Sequence, residues 1–248
     1  MTKNQYESKT LFELLNERDK LYPTEIDFID EPLEGGFKMG QVVAIVGEYE
    51  KGKELLLNQI LCNMANKDNK CLYFSSYYDA IIFEYLEYKF KNNFIKEKSL
   101  KNIYIYNIFT DYIEHSKISE IIKEIELFAE QKEVKVIVID NIEGINAFCH
   151  SQEENILKAI RRLHQLAIKN NILIFLHIEP SFINGIIFDF LDILIHINYN
   201  DNEGKGKLSF FKNTQAFRNN TFNLDFNKDT LSFTATNNRN KTLTLEDL

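Results

Sequence analysis

The sequence is poor in the residue types that mark secreted or fibrous proteins. Its 248 residues include three cysteines, three prolines, nine glycines and no tryptophan. Cys62, Cys71 and Cys149 form no Cys-x-x-Cys pair and lie in apolar runs. They therefore indicate buried thiols of a reducing compartment, and neither a disulfide framework nor a zinc site. So few prolines and glycines exclude a collagen-like or linker-dominated chain.

Long apolar runs and an excess of positive charge are also missing. The longest apolar stretches are far shorter than the roughly 20 residues that a membrane-spanning helix needs. The first ten residues, MTKNQYESKT, contain no apolar core of a signal peptide. The formal net charge of −8 provides no general electrostatic attraction for nucleic acid or for an anionic membrane. We therefore expect a cytoplasmic protein without a membrane partner.

Apolar segments of strand length alternate with segments of helical periodicity through most of the chain. Helices are predicted over 54–65 and 118–128, and another opens at a capping-box pattern that begins with Ser151. This alternation predicts an α/β fold with a mostly parallel sheet flanked by helices. Buried strands are predicted at 41–46, 71–74, 103–108, 134–139, 172–176 and 193–197.

The two ends of the chain differ from its centre. Leu11, Leu14 and Leu15 have near-helical spacing, so residues 1–22 are predicted to form a helical segment that Pro23 ends. Near the other end, residues 222–233 alternate between apolar and polar and predict a C-terminal antiparallel β extension. The predicted organisation is thus an N-terminal segment over 1–22, a core domain over 23–236 and a loose polar tail over 237–248.

One motif carries recognisable chemistry. The sequence Gly47-Glu-Tyr-Glu-Lys-Gly52-Lys53-Glu54 follows a predicted strand and opens a predicted helix. That is the setting of a Gly-x-x-x-x-Gly-Lys-[Ser/Thr] phosphate loop, whose backbone N–H groups and helix N-terminus surround phosphate groups while its lysine binds the terminal ones. Gly47, Gly52 and Lys53 are therefore candidate nucleotide-binding residues.

The last position of this loop departs from the motif. Glu54 stands where a serine or threonine hydroxyl would hold Mg²⁺. Together with Glu48 and Glu50 it outnumbers Lys51 and Lys53, so the loop carries a formal charge of −1 where an anion should bind. One like-charge contact at about 4 Å costs roughly 4 kcal/mol at an effective dielectric constant near 20. The Glu54 carboxylate either ligates Mg²⁺ directly or occupies the anion site at the helix N-terminus itself.

A second candidate metal ligand ends the strand predicted at 134–139. Asp140 follows Val-Ile-Val-Ile, and an acid at that place can reach a Mg²⁺ ion beside a phosphate loop. Many strands of α/β proteins end in aspartate, so the prediction depends on the position of Asp140 downstream of the loop. The predicted metal ligands are therefore Asp140 and Glu54.

The segment before the loop carries a family resemblance. Thr24, Asp30, the pair Gly35-Gly36 and Gly40 lead into the strand and the phosphate loop with the spacing of the RecA-like ATPases of the KaiC, RadA and DnaB group. The chain resembles this group over roughly residues 24–236, and the KaiC branch fits best. The resemblance implies a RecA-type core that binds ATP and Mg²⁺ between neighbouring subunits of a hexamer or filament.

The resemblance also implies a role for the C-terminal strands. In the family, one of them supplies basic residues to a neighbour's phosphates, and the matching residues here are Lys212 and, slightly further on, Arg218. With Lys205 and Lys207 they form a basic cluster, which is either a solvated hairpin or a contact with a neighbour's nucleotide. His177 and Glu179 follow a strand that ends near the terminal phosphate in this fold; they either sense nucleotide or form a simple polar strand end.

The departures from the family pattern suggest a change of function. Glu25 replaces the family's glycine, Glu54 replaces its Ser or Thr, and residues 74–78 contain no carboxylate where the family has its catalytic glutamate. The metal-binding hydroxyl and the general base are thus both missing. The sequence favours a degenerate member that binds nucleotide weakly or not at all, with impaired hydrolysis. It would act as an assembly or regulatory subunit, in a homo-oligomer or with an intact paralogue.

Two alternatives stay open. One is an active ATP-dependent motor of DNA replication or recombination, with Glu54 as an unusual metal ligand. The other is a switch that binds nucleotide without turning it over. Segments 141–154 and 179–189, which contact DNA in related motors, contain no Lys or Arg and several acids, so nucleic acid is not a favoured partner.

Overall fold

The computed structural model describes residues 20–48, 52–75, 80–107, 118–148, 153–215 and 220–240. Within these ranges the strands are β1 (Leu21–Tyr22), β2 (Phe37–Lys38), β3 (Val42–Val46), β4 (Cys71–Ser75), β5 (Ile103–Asn107), β6 (Val136–Asp140), β7 (Leu173–Ile178), β8 (Ile193–Asn200), β9 (Lys205–Asn213), β10 (Asn220–Asn227) and β11 (Ser232–Asn240). The helices are α1 (Asp27–Asp30), α2 (Lys53–Asn66), α3 (Ala80–Lys91), α4 (Glu97–Leu100), α5 (Ile118–Lys132), α6 (Ile142–Phe148), α7 (Glu153–Asn170) and α8 (Gly185–Asp189), with a 3₁₀ turn at Pro180–Phe182.

Nine of these strands form one mixed sheet in the order β11-β10-β9-β8-β3-β7-β6-β4-β5. The strands from β8 to β5 in this order run parallel to one another, and β8, β9, β10 and β11 continue as an antiparallel meander. The fold is thus the RecA-like α/β arrangement predicted from the sequence, including its C-terminal antiparallel extension. β3 and β7 are buried along their whole length, since helices cover both faces of the sheet, and this explains their unbroken apolar sequences.

The two faces of the sheet form separate hydrophobic cores. Val43 and Ile45 of β3 face one core, which contains the buried side of α2 and part of the C-terminal meander. Val42, Ala44 and Val46 face the other, which α5 and α7 cover. α2 is buried on nearly every side, because the sheet lies beneath it and the β10–β11 hairpin closes over it. This burial explains why its apolar residues do not form a single stripe.

α2 holds the edge strand β11 through one side chain. The Gln59 side chain accepts a hydrogen bond from Phe233 N at 2.9 Å and donates one to Phe233 O at 3.5 Å. A side-chain amide has the same donor and acceptor pair as a neighbouring strand, so Gln59 substitutes for the missing strand at this point. The hairpin is thereby fixed against the helix that begins at the phosphate loop.

α3 fixes the same hairpin at its turn. Tyr85 Oη donates to Leu231 O at 3.0 Å, Tyr88 Oη to Asp229 O at 2.8 Å and Lys89 Nζ to Thr230 O at 2.6 Å. Three consecutive carbonyls of the β10–β11 turn are thus bound by one helix. These contacts join two distant parts of the sequence around α2.

Most differences from the sequence predictions lie at the ends of elements. Leu21 belongs to β1, which pairs with β2, and is not the end of a helix; the rest of the predicted N-terminal helix lies outside the described residues. The prediction that the tail is loose from residue 237 is wrong for residues 237–240, because β11 pairs with β10 through the register Asn220↔Asn240. Backbone pairing of this kind does not require apolar side chains. α3 was not predicted at all.

Several other predictions are tested by burial and helix length. Cys62 and Cys71 are buried free thiols, as predicted, and Cys149 and the capping-box Ser151 lie outside the described residues. Of the described helices, none is long and apolar enough to cross a membrane.

Candidate functional site

Parallel pairing brings the predicted site residues to one edge of the sheet. Val46 at the end of β3 lies opposite Ile178 of β7, and Asp140 at the end of β6 lies opposite Ser75 of β4. The phosphate loop begins directly after Val46. Because parallel strands end at the same edge, the loop, Asp140 and the end of β7 come together although more than 90 residues separate Gly47 from Asp140 in sequence.

Two glycines of the loop are required by close packing. A Cβ atom on Gly47 would lie 2.5 Å from the carbonyl oxygen of Ile197 in β8. Gly52 has φ near 90°, and a Cβ there would lie 2.9 Å from Tyr199 Cβ and 3.0 Å from Phe233 Cζ. Only glycine satisfies both the left-handed conformation and this contact without strain. The C-terminal meander therefore packs directly against the end of the loop.

The loop lysine is fully buried and points back into the loop. Lys53 opens α2, and its Nζ donates a hydrogen bond to the carbonyl oxygen of Gly47 at 2.9 Å. Residues 49–51, between the two glycines, lie outside the described residues. The lysine thus joins the first residue of α2 to the first glycine of the loop.

Glu54 lies between two nitrogen-bearing groups. Its side chain is 21% exposed, and its Oε1 lies 4.0 Å from Lys53 Nζ and 3.9 Å from His177 Nε2. In the first turn of α2 its negative charge also interacts favourably with the helix N-terminus. The carboxylate is therefore directed toward His177 and toward Lys53, the predicted phosphate-binding lysine.

Asp140 has a partner on each of its carboxylate oxygens. Tyr73 Oη donates to Oδ2, and His177 Nδ1 lies 2.6 Å from Oδ1. An ionised carboxylate only accepts hydrogen bonds, so Nδ1 of the histidine carries the hydrogen. Both contacts come from neighbouring strands, Tyr73 from β4 and His177 from β7. They fix the carboxylate at the edge of the sheet.

The second nitrogen of His177 is buried and faces Glu54. Nε2 has no hydrogen-bond partner among the described residues, and the Glu54 oxygen 3.9 Å away is too distant for a hydrogen bond. The imidazole ring therefore lies between Asp140 and Glu54, the two predicted metal ligands.

A further carboxyl group lies beside this chain of contacts. Glu143, in the first turn of α6, accepts a hydrogen bond at Oε1 from the backbone N–H of Glu179 at 2.9 Å, while its Oε2 is buried without a partner within the described part of the chain. Burial raises the pKa of Glu143, and the backbone hydrogen bonds and His177 oppose the rise. This carboxyl group is thus held in an environment that favours its neutral form.

These contacts form one line of polar groups across the edge of the sheet. The line runs from the Gly47 carbonyl through Lys53, Glu54 and His177 to Asp140 and ends at the Tyr73 hydroxyl. Two oxygens bound to one Mg²⁺ lie no more than about 4 Å apart, since each Mg–O distance is about 2.1 Å. Glu54 and Asp140 are instead each nearest to a different nitrogen of the His177 ring.

No three His, Cys, Asp or Glu side chains in the described ranges are grouped so that they could hold a metal ion. The role of Asp140 and Glu54 as metal ligands stays a prediction, as do the binding roles of Gly47, Gly52 and Lys53.

Lys212 is not brought to the phosphate loop of its own chain. It pairs with Leu194, which lies beside Ala44 near the middle of β3, and its Nζ donates to Phe188 O at 2.7 Å at the C-terminal end of α8. Nζ also lies 4.9 Å from the centre of the Phe188 ring. Burial lowers the pKa of Lys212, and Asp192 and Asp189 oppose this effect. Its contact with a neighbour's nucleotide stays a prediction, and Arg218 lies outside the described residues.

Two other lysines of β9 lie closer to the loop end of the sheet. Lys207 pairs with Asn198 and Lys205 with Asn200, both beyond His196, the residue level with Val46. Both lysines are exposed. The antiparallel direction of β9 explains this order, because its first residues lie at the end of the sheet where the parallel strands finish.

Sequence reasoning missed several members of the site. Tyr73 gave no signal, because a tyrosine inside a buried strand is an ordinary core residue. Glu143 did have a signal in the sequence, since it stands three residues after the strand-ending Asp140. The structure places it as the second residue of α6. For His177 the sequence suggested a sensor or a polar strand end, and its place between two carboxylates was not predicted.

The comparisons with known proteins agree with this architecture. The family model described as the KaiC ATPase matches residues 22–179, more than half of the chain. The matched range runs from β1 to the residue after β7, so it contains the phosphate loop, Asp140 and His177. The four strands β8, β9, β10 and β11 lie beyond it. No curated protein matches the sequence significantly.

Proposed function

The chain belongs to the KaiC family of ATPases, and from that premise we propose that it is a degenerate member of the family. It binds nucleotide weakly or not at all, has impaired hydrolysis and serves as an assembly or regulatory subunit. Its partners are further copies of itself or an intact paralogue.

One observation carries this proposal, namely the position of the Glu54 carboxylate. Its Oε1 lies 4.0 Å from Lys53 Nζ and 3.9 Å from His177 Nε2. In a working phosphate loop the lysine is available to phosphate oxygens. Here a built-in carboxylate offers the lysine a permanent negative partner, and a bound phosphate would have to approach that carboxylate against charge repulsion.

The residues around Asp140 support the same conclusion. A triphosphate bound with Mg²⁺ requires a metal ligand with an accessible oxygen near the loop hydroxyl. The loop hydroxyl is replaced by Glu54, and both oxygens of Asp140 already have partners in Tyr73 and His177. These residues do not fit a magnesium-bound triphosphate, so we derive no catalytic step through it.

The motif residues that the phosphate loop retains support a structural role for this part of the chain. Lys53 stays buried and bound to Gly47 O, and both loop glycines pack against the C-terminal meander. Gly47, Gly52 and Lys53 thus also take part in contacts that hold this edge of the sheet together. A subunit that keeps the family's framework but not its catalytic groups can take part in an assembly whose chemistry another subunit performs.

Calorimetric titration of ATP and ADP, each with and without Mg²⁺, tests the proposal. Wild type is compared with Glu54→Thr, which restores the hydroxyl, and with Glu54→Gln, which removes only the charge. We expect little or no binding to wild type, metal-independent binding to Glu54→Gln and stronger, Mg²⁺-dependent binding to Glu54→Thr.

Steady phosphate release by wild type with Mg·ATP, abolished in Lys53→Ala, would contradict the proposal. Tight Mg²⁺-dependent binding of ATP to wild type, unchanged in both Glu54 variants, would show that the carboxylate does not obstruct the site.

A further inference from the structure

Asn184 and Gly185 form the one Asn-Gly pair in the sequence. Both residues are exposed, in the segment where the chain passes from the 3₁₀ turn after β7 into α8. Asparagine is a thermolabile residue, and its side-chain amide is lost most easily when glycine follows it. The reason is steric, because a residue without Cβ leaves its own backbone nitrogen free to approach the preceding side chain. This pair is therefore the position of the chain where a spontaneous covalent change is chemically favoured.

The fold gives no conformational reason for the glycine of this pair. Gly185 does not have a left-handed φ, and a Cβ atom built on it would meet nothing within 4 Å. Gly47 and Gly52 differ, because a Cβ atom on either of them would lie within 3.0 Å of an atom of β8. Alanine can therefore replace Gly185 without strain, and this substitution provides a matched control for the chemistry.

The reaction joins two groups that are neighbours in the covalent chain. The backbone nitrogen of Gly185 attacks the side-chain carbonyl carbon of Asn184, so a new C–N bond forms and the C–N bond to the side-chain amide nitrogen breaks. That nitrogen takes the proton of the Gly185 N–H and leaves as ammonia. Water then opens the five-membered imide at either of its two carbonyl carbons. One product is aspartate, and the other is isoaspartate, in which the backbone runs through the former side chain.

The native conformation restrains the two reacting groups. Asn184 is the N-cap of α8, and its Oδ1 accepts a hydrogen bond from Ile187 N at 2.9 Å. The ψ angle of Asn184 is 171°, so its backbone is extended, and ring closure requires rotation about its Cα–C bond. Both restraints are released when the first turn of α8 opens. α8 has five residues, and a helix this short has little stability of its own.

α8 is held at its other end by a lysine. Lys212 Nζ donates a hydrogen bond to Phe188 O at 2.7 Å and lies 3.5 Å from Asp189 O. The aspartate product keeps a side-chain oxygen that can accept the hydrogen bond from Ile187 N. The isoaspartate product adds one carbon to the backbone and displaces this cap. The two products therefore differ in their effect on the helix that binds Lys212.

We propose that Asn184-Gly185 is a site of spontaneous deamidation, that the reaction proceeds when α8 opens, and that the isoaspartate product weakens the contact between α8 and Lys212. Water is the only co-reactant, and no enzyme, metal or cofactor takes part. The site goes beyond the function proposed above, since no residue of the phosphate loop is involved in the reaction. Its presence or absence is therefore independent of whether the chain binds nucleotide.

Prolonged incubation of the full-length chain in mildly alkaline buffer tests the site. Peptide mass spectrometry detects the loss of the amide, and enzymatic methylation of isoaspartate distinguishes the two products. We expect both products to accumulate at Asn184, while Asn202, which is exposed but precedes a glutamate, stays intact over the same time. Gly185→Ala is expected to slow the reaction roughly tenfold or more, since the added Cβ hinders the attacking nitrogen. An intact Asn184, or an equal rate in Gly185→Ala, would overturn the proposal.

The same incubation in concentrated urea tests the opening step. We expect the wild-type reaction to be roughly 10- to 100-fold faster in urea than in buffer, because local opening of a short helix costs much less than global unfolding but is still required. Equal rates in buffer and in urea would show that the native conformation does not restrain the pair, and would overturn the requirement that α8 opens.

Two measurements on the modified protein test the effect on α8. The isoaspartate form, separated from the unmodified chain by ion exchange, is expected to show faster hydrogen exchange at Ile187 N–H and faster acylation of the Lys212 amine. Asn184→Asp reproduces the other product and is expected to match wild type in both measurements. An isoaspartate form that matches wild type in both would overturn the proposed effect on Lys212.

Discussion

At the scale of single residues, the site consists of charged and polar side chains that contact one another within the chain. Glu54 approaches Lys53 and His177, and Asp140 is held by Tyr73 and His177. A conventional phosphate loop keeps such groups available for a ligand. Here the family framework is preserved while its charged groups satisfy one another, which is why the stability of this edge of the sheet should depend on them.

The histidine contact with Asp140 is expected to stabilise the fold. His177→Ala leaves a largely buried carboxylate oxygen without its donor, at a cost of about 1–3 kcal/mol in the free energy of unfolding. Urea denaturation at neutral pH measures this loss. Tyr73→Phe serves as the matched variant, because it removes the donor to the other oxygen. A double variant whose loss equals the sum of the two single losses would show that the two contacts are independent.

Glu143 should make stability depend on pH. Burial raises the pKa of Glu143 in the folded state, so the folded chain binds this proton more tightly than the unfolded chain. The protonated carboxyl group therefore stabilises the fold at low pH, and this stabilisation is lost as pH rises through the folded pKa. Glu143→Gln cannot ionise, so the variant does not lose stability in this way. We therefore expect the variant to be more stable than wild type at pH 7 to 8. The difference should vanish below about pH 4, where the carboxyl is protonated in both states.

Thermal or urea unfolding across that pH range, with Glu203→Gln at an exposed position of the β8–β9 turn as a control, checks this expectation. A Glu143→Gln variant that is less stable than wild type at pH 8 would show that the charged form is favoured in the fold.

At the scale of elements, the structure is organised around α2. The helix begins at the phosphate loop and runs beneath the β10–β11 hairpin. The hairpin is held by Gln59 of α2 and, at its turn, by α3. Gly52 allows the approach, because its missing Cβ leaves room for Tyr199 and Phe233. The hairpin, which lies outside the matched family range, is thus a structural part of the loop's surroundings.

The Gln59 contact should be measurable as stability. Gln59→Leu keeps a similar volume but leaves the N–H and C=O of Phe233 without side-chain partners, so we expect a loss of about 1–3 kcal/mol in the free energy of unfolding. Gln165→Leu, an exposed position on α7, is the matched control and should change it little. Hydrogen exchange at Phe233 N–H adds a local measurement. Unchanged exchange in Gln59→Leu would contradict the assignment of this amide bond.

At the scale of the whole molecule, the distribution of charge bears on whether nucleic acid is a partner. The chain has the RecA-like core of a KaiC-family ATPase, but a formal net charge of −8. The segments 141–154 and 179–189 after β6 and β7 contain acids and no basic residue. The exposed Lys205 and Lys207 lie toward the loop end of the meander. This distribution provides few positive charges for contacts with nucleic-acid phosphates.

Nucleic-acid binding is therefore expected to be weak. Titration of single-stranded DNA at several salt concentrations should give no binding, or weak binding with a shallow salt slope, because few phosphates are neutralised. The double variant Lys205→Glu/Lys207→Glu identifies any residual contribution from β9. A steep slope in wild type would favour the alternative of an active replication or recombination motor.

The sequence by itself determined the α/β architecture, the strand cores and the phosphate loop, because burial periodicity and glycine spacing are local properties of the chain. It also identified Glu54 as the unusual residue. Only the tertiary structure decided which groups lie near Glu54. His177, Asp140 and Tyr73 belong to three different strands, and the order of these strands in the sheet cannot be predicted from the local sequence pattern. The same holds for Lys212, which antiparallel pairing carries away from the loop, and for α3, whose outer face is recognised as exposed only once its inner face is packed.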